Sequence, residues 1–330
     1  MDNTPSISVV MPTYNTPLAF LKEAINSILN QTFRDFEFII LDDCSTDDSV
    51  AYLHSLTDER IRIIRNAENL GITKTLNVGL RAARGKYIAR MDSDDVSLPE
   101  RFEKQFAYME SHPNVVMCGS RIEKIGVESG YGVSAIQDME LYRTRMVFCY
   151  PGPMHPTIFL RRETMEKNQI FYDESLIYTQ DYGLYADIVR YGDVYFSPEV
   201  LLRYRTHSGQ VSTTKRETQI RCAKAVQRKL LRQLLDDLTE DELDMHYKYS
   251  SGYLPDITID PEIEAWYRKL EAANLEKGIY DPAKFRQSIV FVKRRLLLHS
   301  FPRLSLAGKA KLCFRYLPAV DALKLLIKQR

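Results

Sequence analysis

The sequence of 330 residues lacks several features that would assign it to a common class of protein. Its five cysteines are odd in number and share no short spacing, which argues against a disulfide framework or a zinc site and favours a reducing cytoplasm. No run approaches the ~20 apolar residues that a membrane-spanning helix needs, and no basic segment precedes a long apolar one at the N-terminus. The sequence therefore predicts neither secretion nor membrane spanning.

The two familiar glycine-rich phosphate loops are also absent. The sequence contains neither GxGxxG after an apolar strand nor GxxxxGK[ST]. Because these loops bind the phosphates of dinucleotides and nucleoside triphosphates, their absence disfavours a dehydrogenase and an ordinary nucleotide triphosphatase.

Charge is distributed unevenly, although the net charge is only +1. Residues 281–330 contain 12 Lys or Arg and 2 Asp or Glu, so this segment carries +10 and residues 1–280 carry −9. The two ends of the chain are therefore expected to face different surroundings. No recognition motif accompanies the basic segment, which argues against nucleic-acid binding.

Hydrophobic periodicity predicts the fold. Apolar runs typical of buried strands occur at 6–12, 36–43, 60–65, 86–91 and 200–205. Helical patterns of about ten residues separate the first four runs, which predicts an α/β fold with a doubly wound, mostly parallel sheet. Long helical patterns follow Ser212, at 215–237, 260–273, 282–299 and 305–328. We therefore expect a first domain over 1–214 and a helical C-terminal region over 215–330.

Carboxylates cluster directly after two of the predicted strands. Asp43 ends the second strand, and Asp92, Asp94 and Asp95 follow the fourth in the sequence MDSDD. Ligands of open α/β sheets bind at the carboxyl ends of strands, and clustered carboxylates suit Mg²⁺ or Mn²⁺ together with a substrate phosphate. The pattern therefore predicts a divalent-cation site that receives a phosphorylated ligand.

Helix capping is the alternative explanation for these acids, since Asp is a preferred N-cap residue. Ser97 and Glu100 form a capping box for the next predicted helix, with Pro99 in its first turn, so capping there does not require Asp94 or Asp95. The argument holds less firmly for Asp43, where residues 45–47 lie nearer to the start of the following helix.

Two later residues could belong to the same site. Asp181 lies in the first turn of a predicted helix, where a carboxylate also interacts favourably with the helix dipole. His207 follows the last predicted strand among polar residues, where an isolated histidine is more often a surface residue, although imidazole also binds metals of the Mn²⁺ type. Spacing alone leaves both alternatives open.

Six segments in sequence order resemble the family 2 glycosyltransferases, which are nucleotide-sugar enzymes of the GT-A fold. The resemblance covers about residues 5–212. The six segments are SVVMPTYN, SILNQTFRDFEFIILDDCSTD, NLGITKTLNVGLRAARGKYIARMDSDD, HPTIFLRRE, TQDYGLYADI and YRTHSGQVS. The resemblance implies a Rossmann-like, doubly wound GT-A domain, and the helical C-terminal region predicted from periodicity would follow it.

By position, the resemblance also implies which residues bind the donor. Thr13 and Tyr14 would line the nucleotide pocket, and Asp43 would accept a hydrogen bond from the base, typically uracil. In the DxD motif, Asp92 would lie near the ribose or the metal, and Asp95 would be a supporting acceptor.

The same resemblance implies the metal ligands and the catalytic base. Asp94 would be the main ligand of Mn²⁺ or Mg²⁺, and His207 would approach the metal or the diphosphate. Asp181 would be the catalytic base. Many members have Glu-Asp at that point, whereas this chain has Gln180 before Asp181.

The implied activity is an inverting transfer of a sugar from a nucleotide diphosphate sugar, typically a UDP sugar, to a hydroxyl of a glycan or lipid-linked glycan in bacterial-type polysaccharide biosynthesis. A non-catalytic nucleotide-sugar-binding or assembly subunit of the same fold is the alternative. A sugar-1-phosphate nucleotidyltransferase is disfavoured, because the chain lacks the glycine-rich N-terminal loop of that class. The expected location is the cytoplasm.

The basic C-terminal helices lie outside the resemblance. Apolar residues recur at helical spacing over 285–296 and 316–327, which predicts amphipathic helices with many Lys and Arg. These helices could pack on the catalytic domain, form a homodimer contact, or attach the protein peripherally to the anionic inner face of the plasma membrane. The sequence does not distinguish these alternatives.

Overall fold

The structure is a computed structural model that describes residues 4–132, 136–207, 216–251, 261–301 and 305–327. The chain forms two compact units. The first contains residues 1–137 and 152–223, and the second contains residues 138–151 and 224–330. The sequence predicted a single boundary between residues 214 and 215, whereas the segment 138–151 belongs to the second unit.

The N-terminal part of the first unit is a parallel sheet. Its strands are β1 (Ile7–Thr13), β2 (Phe36–Asp42), β3 (Ile61–Arg65) and β4 (Tyr87–Arg90). The connecting helices are α1 (Leu18–Leu29), α2 (Ser49–His54) and α3 (Ile72–Ala82). The strands lie in the order β3-β2-β1-β4, and every residue of β1, β2 and β4 is buried, as expected of parallel strands that helices cover on both faces. The carboxyl ends of these strands therefore lie at one edge of the sheet.

Five further strands extend the sheet beyond β4 in mixed directions. They are β5 (Val96–Ser97), β6 (Val115–Gly126), β7 (Gly130–Tyr131), β8 (Phe159–Arg161) and β9 (Asp193–Thr206). The order continues β4-β8-β6-β9-β5, and β7 pairs with β6. β8 is antiparallel to both β4 and β6, whereas β6 and β9 are parallel and β5 and β9 antiparallel. The helices of this part are α4 (Arg101–Ser111), α6 (Arg162–Lys167) and α7 (Gln180–Ile188).

Close packing of α3 on the sheet depends on a glycine. A Cβ atom added to Gly79 would lie 2.5 Å from a methyl carbon of Val10 and 2.6 Å from one of Leu41. Since real Cβ atoms do not approach other carbons this closely, only glycine allows α3 to lie at this distance from β1 and β2. The fit places the N-terminus of α3 beside the end of β2, where the predicted nucleotide residue Asp43 lies.

The second unit is helical. Its helices are α5 (Met139–Phe148), α8 (Arg216–Leu234, which begins in the first unit), α9 (Glu240–Ser251), α10 (Pro261–Lys277), α11 (Pro282–Ser300), α12 (Leu306–Tyr316) and α13 (Ala319–Ile327). Its core contains Phe148 of α5 together with Trp266, Tyr267 and Leu296 of the later helices. None of the helices in the described ranges is both long enough and apolar enough to cross a membrane.

Two local expectations were wrong. The helix predicted over 305–328 is divided into α12 and α13, because Pro318 disfavours a helical conformation of the residue before it. The capping box is also wrong, since α4 begins at Arg101 and Glu100, its N-cap residue, makes no capping hydrogen bond with its side chain. Ser97 instead lies in β5, and its hydroxyl accepts a hydrogen bond of 3.1 Å from the amide of Gln31.

Candidate nucleotide and metal site

The acidic motif forms a compact cluster at the carboxyl end of β4. Asp92, Asp94 and Asp95 each offer a carboxylate oxygen, and these oxygens all lie within 4.8 Å of one another. Burial and the charge of Asp92 raise the pKa of Asp94, and burial with the charges of Asp92 and Asp94 raises the pKa of Asp95 well above its ordinary value. Asp94 and Asp95 therefore resist ionisation beside the neighbouring carboxylates. A bound divalent cation would relieve their repulsion, so the donor set fits Mg²⁺ or Mn²⁺.

Helix capping does not explain the position of Asp95, because its carboxylate is bonded to the backbone of a strand and not to the end of a helix. Its Oδ1 accepts a hydrogen bond of 2.8 Å from the backbone N–H of Arg205 in β9. Its Oδ2 is buried and has no hydrogen-bond partner among the described residues. A buried carboxylate oxygen without a donor is costly, which indicates that a donor or cation belongs at this position.

His207 lies against the same cluster. Its Nε2 lies 3.0 Å from Oδ2 of Asp94. The neighbouring Arg205 donates its Nε to the backbone carbonyl of Asp94 at 2.7 Å and pairs with Glu23 of α1. The end of β9 is thereby attached to the acidic loop, and the imidazole of His207 lies beside the carboxylates.

Arg90, the last residue of β4, was not predicted as a site residue. Its guanidinium pairs with Asp92 and is almost completely buried, and its Nε and Nη1 have no partner among the described residues. Burial would lower the pKa of Arg90, but the charges of Asp92 and Asp95 hold that pKa above its usual value. An arginine inside the apolar run KYIARM was the available signal, because arginine is rarely buried without a specific partner.

The loop after β1 reaches the acidic motif through hydroxyl groups. Thr13 is buried and donates to the hydroxyl of Thr16 at 3.1 Å, and that hydroxyl lies 2.7 Å from the hydroxyl of Ser93. Tyr14 is half exposed at the same edge of the sheet. The structure therefore brings the β1 end and the DxD loop together.

Asp43 is buried and already accepts three hydrogen bonds. The amide of Asn66 donates to it at 2.7 Å, and the backbone N–H groups of Leu70 and Gly71 donate at 2.9 Å. These bonds fix the loop that leads into α3. A carboxylate has about four lone-pair positions, so one position remains for an external donor, and the predicted contact with a base stays a prediction.

Asp181 lies in the first turn of α7, and its Oδ1 accepts a hydrogen bond of 2.8 Å from the backbone N–H of Tyr182. The charge of Asp181 and the charge of Asp92 in the acidic cluster both act on the buried hydroxyl of Tyr172. The pKa of the Tyr172 hydroxyl is raised by burial, lowered by Arg90, and raised by the charges of both Asp181 and Asp92. Both carboxylates therefore lie within electrostatic reach of one buried hydroxyl.

Tyr172 and His155 form a buried pair that the sequence did not predict. The Tyr172 hydroxyl lies 2.7 Å from Nε2 of His155, and the backbone of Tyr172 is held at both its N–H and its carbonyl by the side chain of Asn77. Burial and the charge of Arg90 hold the pKa of His155 well below its ordinary value, so this imidazole is neutral at pH 7. The motif HPTIFLRR was the only sequence signal for it.

Comparison with known proteins assigns the chain to a family. The family model described as Glycosyl transferase family 2 matches residues 8–173. An uncharacterized glycosyltransferase of Haemophilus influenzae is 32% identical over 257 residues, which cover 73% of this chain and 78% of that protein. The succinoglycan biosynthesis protein ExoO of Rhizobium meliloti is 26% identical over 313 residues, which cover 90% of this chain and 87% of that protein.

Solved structures share the fold at low sequence identity. S. aureus TarS in complex with UDP has a TM-score of 0.58 and 19% identity, and the match covers 90% of this chain and 87% of that chain. The mannosyltransferase PcManGT of Pyrobaculum calidifontis, in complex with GDP-Man and Mn²⁺, has a TM-score of 0.53 and 15% identity, and the match covers 98% of this chain and 85% of that chain. This chain is a glycosyltransferase that belongs to glycosyl transferase family 2 and has the GT-A fold with a helical C-terminal region.

Proposed function

We propose that the protein is an inverting, metal-dependent glycosyltransferase that moves a sugar from a UDP sugar to a hydroxyl of a glycan or lipid-linked glycan in the cytoplasm. The observation that carries the proposal is the cluster of three carboxylates within 4.8 Å of one another, with the imidazole of His207 beside it, at the carboxyl ends of the parallel strands. That edge is where α/β sheets bind their ligands. The similarity to a succinoglycan biosynthesis protein supports a glycan acceptor.

The donor would bind along the ends of β1, β2 and β4. Thr13 and Tyr14 would line the nucleotide pocket, and Asp43 would accept a hydrogen bond from the base with its remaining lone pair. Asp92, which Arg90 holds in place, would lie near the ribose or the metal, and Asp95 would be a supporting acceptor. The UDP complex of TarS, which has the same fold, supports a uridine nucleotide.

The metal would be held by Asp94 and Asp92, with His207 as the nitrogen ligand. Carboxylates with one imidazole suit Mn²⁺, and the carboxylates alone suit Mg²⁺. When bound, a divalent cation neutralises negative charge on the diphosphate leaving group. Asp95 and Arg205 keep the loop in position, because the Arg205 backbone donates to Asp95 and its Nε donates to the carbonyl of Asp94.

Asp181 would be the catalytic base. In a single displacement, the oxygen of the acceptor hydroxyl forms a bond to C1 of the sugar as the bond from C1 to the diphosphate oxygen breaks, and the electrons of that bond leave with the nucleoside diphosphate. The carboxylate of Asp181 would take the proton of the attacking hydroxyl. Attack opposite the leaving group inverts the anomeric centre and requires no covalent enzyme intermediate.

The test is a transfer assay with an Asp181→Asn variant. A panel of UDP and GDP sugars is first screened by thermal shift with Mn²⁺, because a ligand of the native state raises the melting temperature. The selected donor is then incubated with glycan acceptors, and released nucleoside diphosphate is measured. We expect Asp181→Asn to lower the transfer rate by about 10²–10⁴-fold while donor binding stays within about twofold.

Asp187→Asn on the same helix is the matched control and should retain transfer. Undiminished transfer by Asp181→Asn would remove Asp181 as the base. Donor binding without released nucleotide, for every acceptor offered to the wild-type protein, would favour the non-catalytic binding subunit instead.

A further inference from the structure

The two C-terminal helices α12 and α13 are apolar on two sides. Their inner side chains, Cys313 and Tyr316 of α12 and Ala322 and Leu325 of α13, belong to the core of the second unit. This inner packing uses only one face of each helix.

The outer faces of these helices carry large apolar side chains in solvent. Phe314, Val320 and Leu323 are 50–62% exposed. Phe314 lies between the buried Cys313 and the buried Tyr316 in the sequence of α12, so its side chain projects away from the inner face. Val320 and Leu323 are three residues apart on α13, so they share a face. Scattered exposed apolar residues are ordinary, but a group of this kind marks an interaction surface.

Cations accompany these apolar residues. Lys311 and Arg315 are exposed on either side of Phe314, and Lys324 follows Leu323 directly. The only acid in the described range 305–327 is Asp321, and it lies 3.6 Å from the guanidinium of Arg294. The outer face therefore combines apolar side chains with positive charge that no acid on these helices offsets.

We propose that the outer faces of α12 and α13 dock on an anionic phospholipid bilayer, with the apolar side chains at the acyl boundary and the Lys and Arg side chains among the headgroups. The inference rests on the proposed function, since a lipid-linked acceptor lies at a membrane surface. This combination of side chains is what an interfacial amphipathic helix presents to a membrane. Attraction of the cations to anionic lipid supplies the second contribution.

Other occupants fit the surface less well. A symmetric contact with a second copy of the chain would place the same basic faces opposite each other, and like charges across an interface are unfavourable. A nucleic acid would pair with the cations but would leave the exposed leucine, valine and phenylalanine side chains without apolar partners. A bilayer satisfies both kinds of side chain.

The test is flotation of the full-length protein with phosphatidylcholine vesicles that contain about 30% phosphatidylglycerol, compared with pure phosphatidylcholine vesicles. We expect binding only to the anionic vesicles, reduced by added salt. The variant Phe314→Gln/Leu323→Gln should bind at least about tenfold more weakly, and so should Lys311→Gln/Lys324→Gln. Leu275→Gln, which changes an exposed leucine of α10, and Lys167→Gln in the first unit are the matched controls and should bind like the wild type.

Equal binding to both vesicle types, no binding, or unchanged binding of both double variants would overturn the docking surface. A dimer in solution that Phe314→Gln/Leu323→Gln dissociates, without vesicle binding, would also overturn it and would assign the face to a second copy. The double variants should release nucleoside diphosphate in the transfer assay at the wild-type rate with a soluble acceptor. Failure of that assay in the wild type with intact vesicle binding would reject the proposed function and leave the docking surface standing.

Discussion

The imidazole Nε2 of His207 lies 3.0 Å from Oδ2 of Asp94, although 113 residues separate the two in the sequence. The contact depends on β9, whose Arg205 is bonded both to the side chain of Asp95 and to the backbone of Asp94. The imidazole and the carboxylate therefore lie side by side at the carboxyl ends of the strands. Such a pair can hold a cation that each residue alone would bind weakly.

The first prediction separates the two ligands. Asp94→Ala should abolish Mn²⁺-dependent binding of UDP, because it removes the carboxylate that is shared by the cluster and His207. His207→Ala should weaken Mn²⁺ binding by about tenfold and Mg²⁺ binding less, since Mg²⁺ prefers oxygen ligands. Isothermal titration calorimetry with UDP and each metal measures both effects.

Exposed histidine His54 in α2 supplies the matched control, and His54→Ala should bind both metals like the wild type. Equal affinity of His207→Ala and the wild type for Mn²⁺ would show that His207 only holds the acidic loop. A larger loss for Mg²⁺ than for Mn²⁺ would contradict the nitrogen-ligand assignment.

The second prediction concerns Arg90, whose only ion pair within the described residues is with Asp92. Arg90→Met leaves three crowded carboxylates without their cation, so it should lower the free energy of unfolding by about 2–3 kcal/mol. This is less than the roughly 3–5 kcal/mol of a fully buried pair, because Asp92 is partly exposed. Added Mn²⁺ should recover part of this loss, because the metal replaces the missing positive charge. The measurement is the melting temperature in EDTA and in Mn²⁺.

Arg203→Met is the control for this prediction. Arg203 pairs with Glu123 on the surface, and an exposed pair contributes at most about 1 kcal/mol. Its melting temperature should change little and should show the wild-type response to Mn²⁺. The assignment of Arg90 fails if Mn²⁺ raises the melting temperature of Arg90→Met no more than that of the wild type.

Local pattern was sufficient to predict part of the molecule. The strands β1, β2 and β4 are short apolar runs that stand out in the sequence, and the acids that follow them had to meet at one edge because the strands are parallel. The cluster of Asp92, Asp94 and Asp95 was predicted for that reason. The GT-A fold and the family were likewise implied by motifs that lie within this region.

Other features depend on contacts that no local pattern encodes. The capping box failed because Ser97 pairs with Leu202 in β9, more than a hundred residues away. The segment 138–151 belongs to the second unit because α5 packs on α11, which follows it by well over a hundred residues. Arg90 and Tyr172 were not predicted because their partners are Asp92 and His155, and such pairings appear only once the sheet is assembled.

The last prediction concerns a buried histidine in the second unit. The indole N–H of Trp266 donates to Nδ1 of His246 at 3.1 Å, so the proton of the neutral imidazole is on Nε2, which donates to the carbonyl of Val147 at 2.9 Å. Burial lowers the pKa of His246 from 6.5 to about 4. Protonation would place a second N–H against the Trp266 donor, which explains why the folded protein resists it.

The unfolded chain therefore binds this proton more readily than the folded one. The contribution of His246 to stability is complete above pH 6.5 and is lost as pH falls from 6.5 towards about 4. Between pH 7.5 and 5 the loss should be up to about 2 kcal/mol, since each pKa unit corresponds to about 1.4 kcal/mol.

His246→Gln keeps a donor and an acceptor but cannot titrate, so its stability should fall less over this range. Urea unfolding monitored by Trp266, the only tryptophan in the chain, measures the difference. Every other titrating group is common to both proteins. Parallel profiles of unfolding free energy against pH for the wild type and His246→Gln would therefore refute the assignment. The control His54→Gln, at an exposed site, should follow the wild type throughout.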